Sequence, residues 1–138
     1  MLKEKIKRLE ENLVILEEFR KNISLDDLLR DKIKQWALRY GILECIQEII
    51  DISCALVSSN NLGNPKNYRE CIEILIKNGY ISEELGKRLI SMVGLRNLLV
   101  HEYIKIDLFR LYEFLNNLND FREFIYYIVL KDESDQEY

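Results

Sequence analysis

Apolar residues recur along this chain at alternating steps of three and four. Leu2, Ile6, Leu9, Leu13 and Leu16 mark one side of a first helix that ends near Lys21. Ser24 with Asp27 three residues on forms a capping-box pattern for a second helix. That helix is expected from about 25 to 59, with Gly41 as a place where it can bend. Its second half is apolar around most of its circumference. Only Glu44, Gln47, Glu48 and Asp51 fall on a narrow polar stripe. A helix of this kind belongs at the centre of a bundle or between two subunits.

Residues 58–64, SSNNLGN, read as a loop. A third helix is expected to start with Asn64 as N-cap and Pro65 at its first position, and to stop at Asn78-Gly79. Ser82 caps a fourth that reaches about Tyr103, with Glu83 and Glu84 suited to its positive end. Asp107 caps a fifth running to about Leu130, with Leu108, Leu111, Tyr112, Leu115, Leu118 and Phe121 as its buried set. The pattern predicts an all-α, mostly antiparallel bundle of four to five helices. Residues 1–130 form its one domain, and 131–138 an acidic, frayed tail.

Composition narrows the picture. A chain of 138 residues is one domain by length, large enough to bury about 68% of its unfolded surface without a disulfide or structural metal. Twenty Lys and Arg against 24 Asp and Glu exclude a strongly basic nucleic-acid binder. The acid is concentrated at the end, where the last eight residues hold four acids and one Lys. Residues 66–110 hold eight Lys and Arg against six acids, so a local anion site is allowed. Cys45, Cys54 and Cys71 lie in apolar stretches and contain no CxxC, which reads as three reduced thiols in a cytoplasmic protein. The charged start MLKEKIKRLEEN is no signal peptide, and no apolar run approaches a membrane span, so no membrane is expected as a partner. One His and scattered carboxylates offer no metal-ligand spacing, so neither metal nor cofactor is expected.

The chain's single His lies in a cluster of polar groups: Gly94-Leu95-Arg96-Asn97-Leu98-Leu99-Val100-His101-Glu102-Tyr103. This stretch resembles the R-x4-H-x-Y motif of HEPN-domain proteins, specifically the HepT-like toxins paired with minimal nucleotidyltransferase (MNT) antitoxins. Arg39-Tyr40-Gly41 leading to Glu44, Glu48 and Asp51 is similar to that family's long second helix. Residues 65–70 with Leu75 and Asn78-Gly79 are similar to its third. The resemblance covers roughly residues 1–125.

The resemblance implies a helical bundle that forms a two-fold homodimer, with Arg96 and His101 of both subunits in one cleft. It implies metal-independent endoribonuclease activity that yields a 2′,3′-cyclic phosphate and a 5′-OH. His can act as base or acid near neutrality. Arg forks onto phosphate oxygens and stabilises charge developing there. Asn97 is placed to donate to the same phosphate or to hold His101. Tyr103 is implied as the site that the antitoxin adenylylates, adding bulk and negative charge where RNA must sit. Asp51 is either part of a solvated stripe or a cleft residue that orients Arg96 or His101.

Helix geometry constrains the pair. At about 100° per residue, His101 points about 140° away from Arg96 on a straight helix. The helix must bend or fray near Val100, or the pair must assemble across the dimer. Trp36 and Tyr40 read as core rather than as a base-stacking platform. Lys87, Arg88 and Lys105 are either RNA guides or solvated cations. The alternative to a nuclease is a non-catalytic module that binds a minimal nucleotidyltransferase partner or a nucleotide. The acidic net charge favours that alternative slightly.

Overall fold

A computed structural model describes residues 2–101 and 105–136 of the chain, all of whose regular structure is helical. The helices are α1 (Leu2–Asn22), α2 (Leu25–Arg30), α3 (Lys32–Ser59), α4 (Tyr68–Lys77), α5 (Glu83–Val100), α6 (Leu108–Phe114) and α7 (Asn119–Gln136). A 3₁₀ turn, Leu115–Asn117, joins the last two. The all-α bundle expected from the apolar periodicity is therefore present. The helices outnumber the expectation because two of the expected ones are each divided.

The first division falls at Asp31. Its extended backbone ends α2, and its carboxylate accepts from the amides of Ile33 and Lys34 to start α3. A short acidic side chain competes for backbone donors in this way and favours caps over helix interiors. Gln35 closes the joint by donating to the carbonyls of Leu28 and Leu29. The second division falls in the Asn-rich stretch 115–119. Leu115, Leu118, Phe121 and Phe124 stay buried on both sides of it. Helix α7 then continues through Gln136, beyond the expected end at Leu130.

Helix α4 begins later than expected. Asn67, not Asn64, is the N-cap, and its side chain accepts from the Glu70 amide at 3.0 Å. Pro65 precedes the helix. Two Asn residues compete for the role, and Asn67 is the one with Glu at N3, whose carboxylate accepts from the Lys66 amide. The far end follows expectation. Gly79 takes φ +75°, and the Tyr80 and Gly79 amides bond back to Leu75 and Ile76 in a Schellman turn.

Helix α3 is the centre of the bundle, packed by α1, α4 and α5 along its length. Ile42, Cys45, Ile46, Ile49, Ile50, Ile52, Leu56 and Val57 are all buried within one chain. The monomer thus hides the apolar half that suggested a second subunit. The exposed apolar residues of α3 lie in its first half instead: Ile33, Trp36 and Tyr40 are each more than 60% exposed. This corrects the reading of Trp36 and Tyr40 as core, because the buried side of this half carries Leu38 and Ile42 instead. The polar stripe is also divided, since Glu48 is buried and accepts from Asn12 at 2.7 Å while Asp51 is exposed.

Helices α4 and α5 approach closely at Gly86, where an added Cβ would collide with Ile76. The expectation of three thiols is corrected as well. Cys54 of α3 and Cys71 of α4 form a disulfide, with Cα atoms 5.1 Å apart. Packing of the two helices side by side brings these cysteines together. Cys45 remains a buried thiol whose pKa is pushed up to about 12 by burial, with Glu48 and Glu44 adding to it. Two ion-pair clusters tie α7 to the bundle. Arg122 forks onto Glu17 of α1, and Arg88 of α5 bonds Asp120 and Glu123. No helix among the described residues is long and apolar enough to cross a membrane.

Candidate active site

Arg96 is held from several sides. Its Nε donates to Oε1 of Gln47 on α3 at 2.9 Å, and its Nη1 donates to Oδ1 of Asn97 at 3.1 Å. The guanidinium also lies over the ring of Tyr68, 5.1 Å from its centroid, within cation–π range. Three side chains from three helices therefore set its plane. Nη2 takes no part in the bonds to Gln47 and Asn97.

Asp51 reaches Arg96 through one intermediary. Gln47 donates from Nε2 to Oδ1 of Asp51 at 2.9 Å while its own Oε1 accepts from Arg96. The direct partner is thus Gln47, which sequence reading placed on the polar stripe without a role. Its signal was the i, i+4 spacing of Gln47 and Asp51 on one helix face. Asn97 turns its oxygen to Arg96, which leaves its amide nitrogen as the group available to a phosphate.

The helix does not carry His101 onward. Helix α5 ends at Val100, short of the expected Tyr103, and His101 is its C-cap with extended backbone (φ −90°, ψ 105°). Its amide bonds the Leu98 carbonyl at 3.2 Å, and the residue is exposed. The constraint set by helix geometry is met by release from the helix: the imidazole is no longer tied to the 100° step that aimed it away from Arg96. Arg39 of α3 braces this end by donating from Nη2 to the Leu99 carbonyl at 3.4 Å. A cation at a helix C-terminus satisfies an orphan carbonyl and opposes the negative end of the dipole. Tyr103 lies outside the described residues.

Lys87 pairs with Glu83, and Arg88 is engaged by two carboxylates of α7, so neither cation faces the motif unpaired. Among the described residues no cluster of three or more His, Cys, Asp or Glu side chains is placed to hold a metal ion.

A helical bundle that presents Arg-Asn on its penultimate long helix and a His just past its end defines a class of protein, and comparison places this chain within it. Residues 9–128 match the ribonuclease HepT-like family model, and the chain belongs to that family. It is 28% identical over 125 residues to the mRNA nuclease HepT of Shewanella oneidensis, covering 90% of this chain and 87% of the relative. It is 38% identical over 87 residues to the tRNA nuclease HepT of Aphanizomenon flos-aquae, covering 62% and 58%. Among solved structures, the tri-AMPylated Shewanella oneidensis HEPN toxin in complex with MNT antitoxin superposes with a TM-score of 0.85. That match has 26% identity and covers 94% of this chain and 96% of the other.

Proposed function

We propose that this chain is the toxin of a toxin–antitoxin pair, a metal-independent endoribonuclease that acts as a homodimer. The observation that carries the reading is the Arg96 guanidinium, fixed by Gln47, Asn97 and Tyr68, in the same motif as a His101 released from its helix. A prearranged guanidinium in the same motif as an imidazole suits in-line attack of a ribose 2′-OH on its own phosphate. His101 takes the 2′-OH proton, and His101 of the partner subunit protonates the departing 5′-oxygen. Arg96 holds the charge that develops on the phosphoryl oxygens. The products are a 2′,3′-cyclic phosphate and a 5′-OH. The nuclease names of the relatives support the reaction class.

The dimer reading is supported by the single His per chain and by the exposed Ile33, Trp36 and Tyr40 on the half of α3 that carries Arg39. Neutralisation is assigned to an MNT-type nucleotidyltransferase that adenylylates Tyr103. The solved tri-AMPylated toxin in complex with MNT antitoxin supports this assignment.

The test is cleavage of RNA by the purified chain in EDTA, beside Arg96→Ala and His101→Ala. The wild type is expected to leave 2′,3′-cyclic phosphate ends, and each variant to lose activity by 100-fold or more with its fold retained. Activity that survives in both variants overturns the mechanism. Intact mass after co-expression with a nucleotidyltransferase partner is expected to rise by AMP units mapped to Tyr103. A stable complex with an unmodified, inactive chain would instead establish the interaction module.

A further inference from the structure

Two polar clefts adjoin α5, and they differ in charge. One lies toward α6 and α7, where Arg88 and Arg110 are matched by Glu113 and Asp120. The other, of about 520 Å³, lies between the start of α4 and α5. Its walls are Lys66, Tyr68 and Arg69 on one side and Val93, Arg96 and Asn97 on the other. It holds three cations and no carboxylate, in a chain whose net charge is −4. Its volume suits one nucleotide unit.

The groups in this cleft are also of the kinds that bind single strands. Tyr68 is 41% exposed although Arg96 lies over its ring. Unpaired RNA is held by stacking its bases on aromatic rings and tracking its backbone with cations. Arg69 meets Glu73 through Nε, so its terminal nitrogens are outside that pair. The Lys66 backbone amide is fixed on Glu70, which anchors the lysine at the rim. Arg96 belongs to both the cleft and the motif. A nucleotide bound here is therefore a neighbour of the phosphate that Arg96 holds.

We propose that this cleft is a single-stranded RNA subsite. Tyr68 stacks on the base beside the scissile phosphate, and Lys66 and Arg69 hold the adjoining backbone phosphate. The inference rests on the nuclease reading above and adds to it the residues that seat the strand.

The test uses the full chain and a short 2′-O-methyl RNA oligomer, which lacks the attacking hydroxyl, with binding read by fluorescence anisotropy. Cleavage of the matching RNA is followed in parallel. Tyr68→Leu is expected to weaken oligomer binding by about 5- to 150-fold and to raise KM similarly, with kcat also falling because Arg96 loses the ring that helps set its plane. Tyr68→Phe keeps the ring and is expected to stay within about twofold. Lys66→Ala is expected to lower the slope of log affinity against log salt by about 0.7. An active wild type whose binding is unaltered by Tyr68→Leu overturns the subsite alone. A fall in kcat at constant KM overturns it too, because the ring would then only position Arg96. Loss of ATP binding in place of RNA binding assigns the cleft to a free nucleotide and also overturns it. A wild type that binds the oligomer through Tyr68 yet cleaves nothing overturns the nuclease reading and leaves the subsite standing.

Discussion

Arg96 and Gln47, 49 residues apart in sequence, meet across the α3–α5 interface with Nε 2.9 Å from Oε1. Gln47 is in turn held by Asp51, so one amide transmits the position of α3 to the guanidinium of α5. The bond fixes direction as well as distance, since a guanidinium held at Nε can turn only about that edge.

Gln47→Leu removes this hold without touching the motif. It is expected to lower kcat for RNA cleavage by about 10- to 100-fold, the scale of a misplaced catalytic group, with a smaller change in KM. Asp51→Asn retains an acceptor for Gln47 and should stay within a few-fold. Steady-state kinetics of the two variants separate a positioning role from simple loss of binding.

Glu48 is buried, and one of its carboxylate oxygens has no hydrogen-bond partner. Burial raises its pKa above the ordinary 4.5, and Glu44 and Asp51 add to the rise. The Asn12 bond and Arg8 oppose it. A carboxyl with a raised folded pKa favours the fold below the unfolded value. That contribution is lost as pH climbs through the folded value. Glu48→Gln keeps an acceptor for Asn12 and removes the charge. It is expected to stabilise the chain near neutral pH by on the order of 1 kcal/mol, and to match the wild type below about pH 4. Thermal melts across pH 3–8 check the sign.

The Cys54–Cys71 bond closes a loop of 17 residues and joins α4 to α3 one turn beyond Tyr68. Chain entropy puts its contribution at about 3 kcal/mol. Replacing both cysteines by Ser, or melting in reductant, is expected to lower Tm by about 10 °C. Equal Tm values with and without reductant would show that the bond contributes nothing.

Trp36 is 61% exposed, and Ile33 lies on the same face. A charge placed there should cost the monomer little. Trp36→Glu is expected to shift the chain from dimer to monomer at micromolar concentration in sedimentation and to reduce cleavage in parallel. A variant that remains dimeric moves the interface elsewhere.

Much of the fold was legible in the chain. The stripe Ile6, Leu9, Leu13 and Leu16 is buried as its spacing requires, and Ser24, Ser82 and Asp107 are caps. Gly79 ends α4 because only local backbone geometry decides that turn. Less was legible where two local signals compete, as at Asp31, where a cap defeats a continuous apolar stripe, and at Asn64 and Asn67.

The candidate site divides along the same line. Arg96, Asn97 and His101 were visible because they lie within six residues of one another. The 100° step alone required either a bend or fray near Val100 or a pair assembled across the dimer, and α5 does end at Val100. Gln47 and Tyr68 were not visible as partners of Arg96, nor Cys71 as the partner of Cys54. Each of those relationships joins different helices, and periodicity along one helix carries no information about what packs against it. The sequence by itself determined the helices, their buried faces and the cluster of chemical groups. Only the tertiary structure decided which side chains hold that cluster in place, because those contacts depend on the relative placement of α3, α4 and α5.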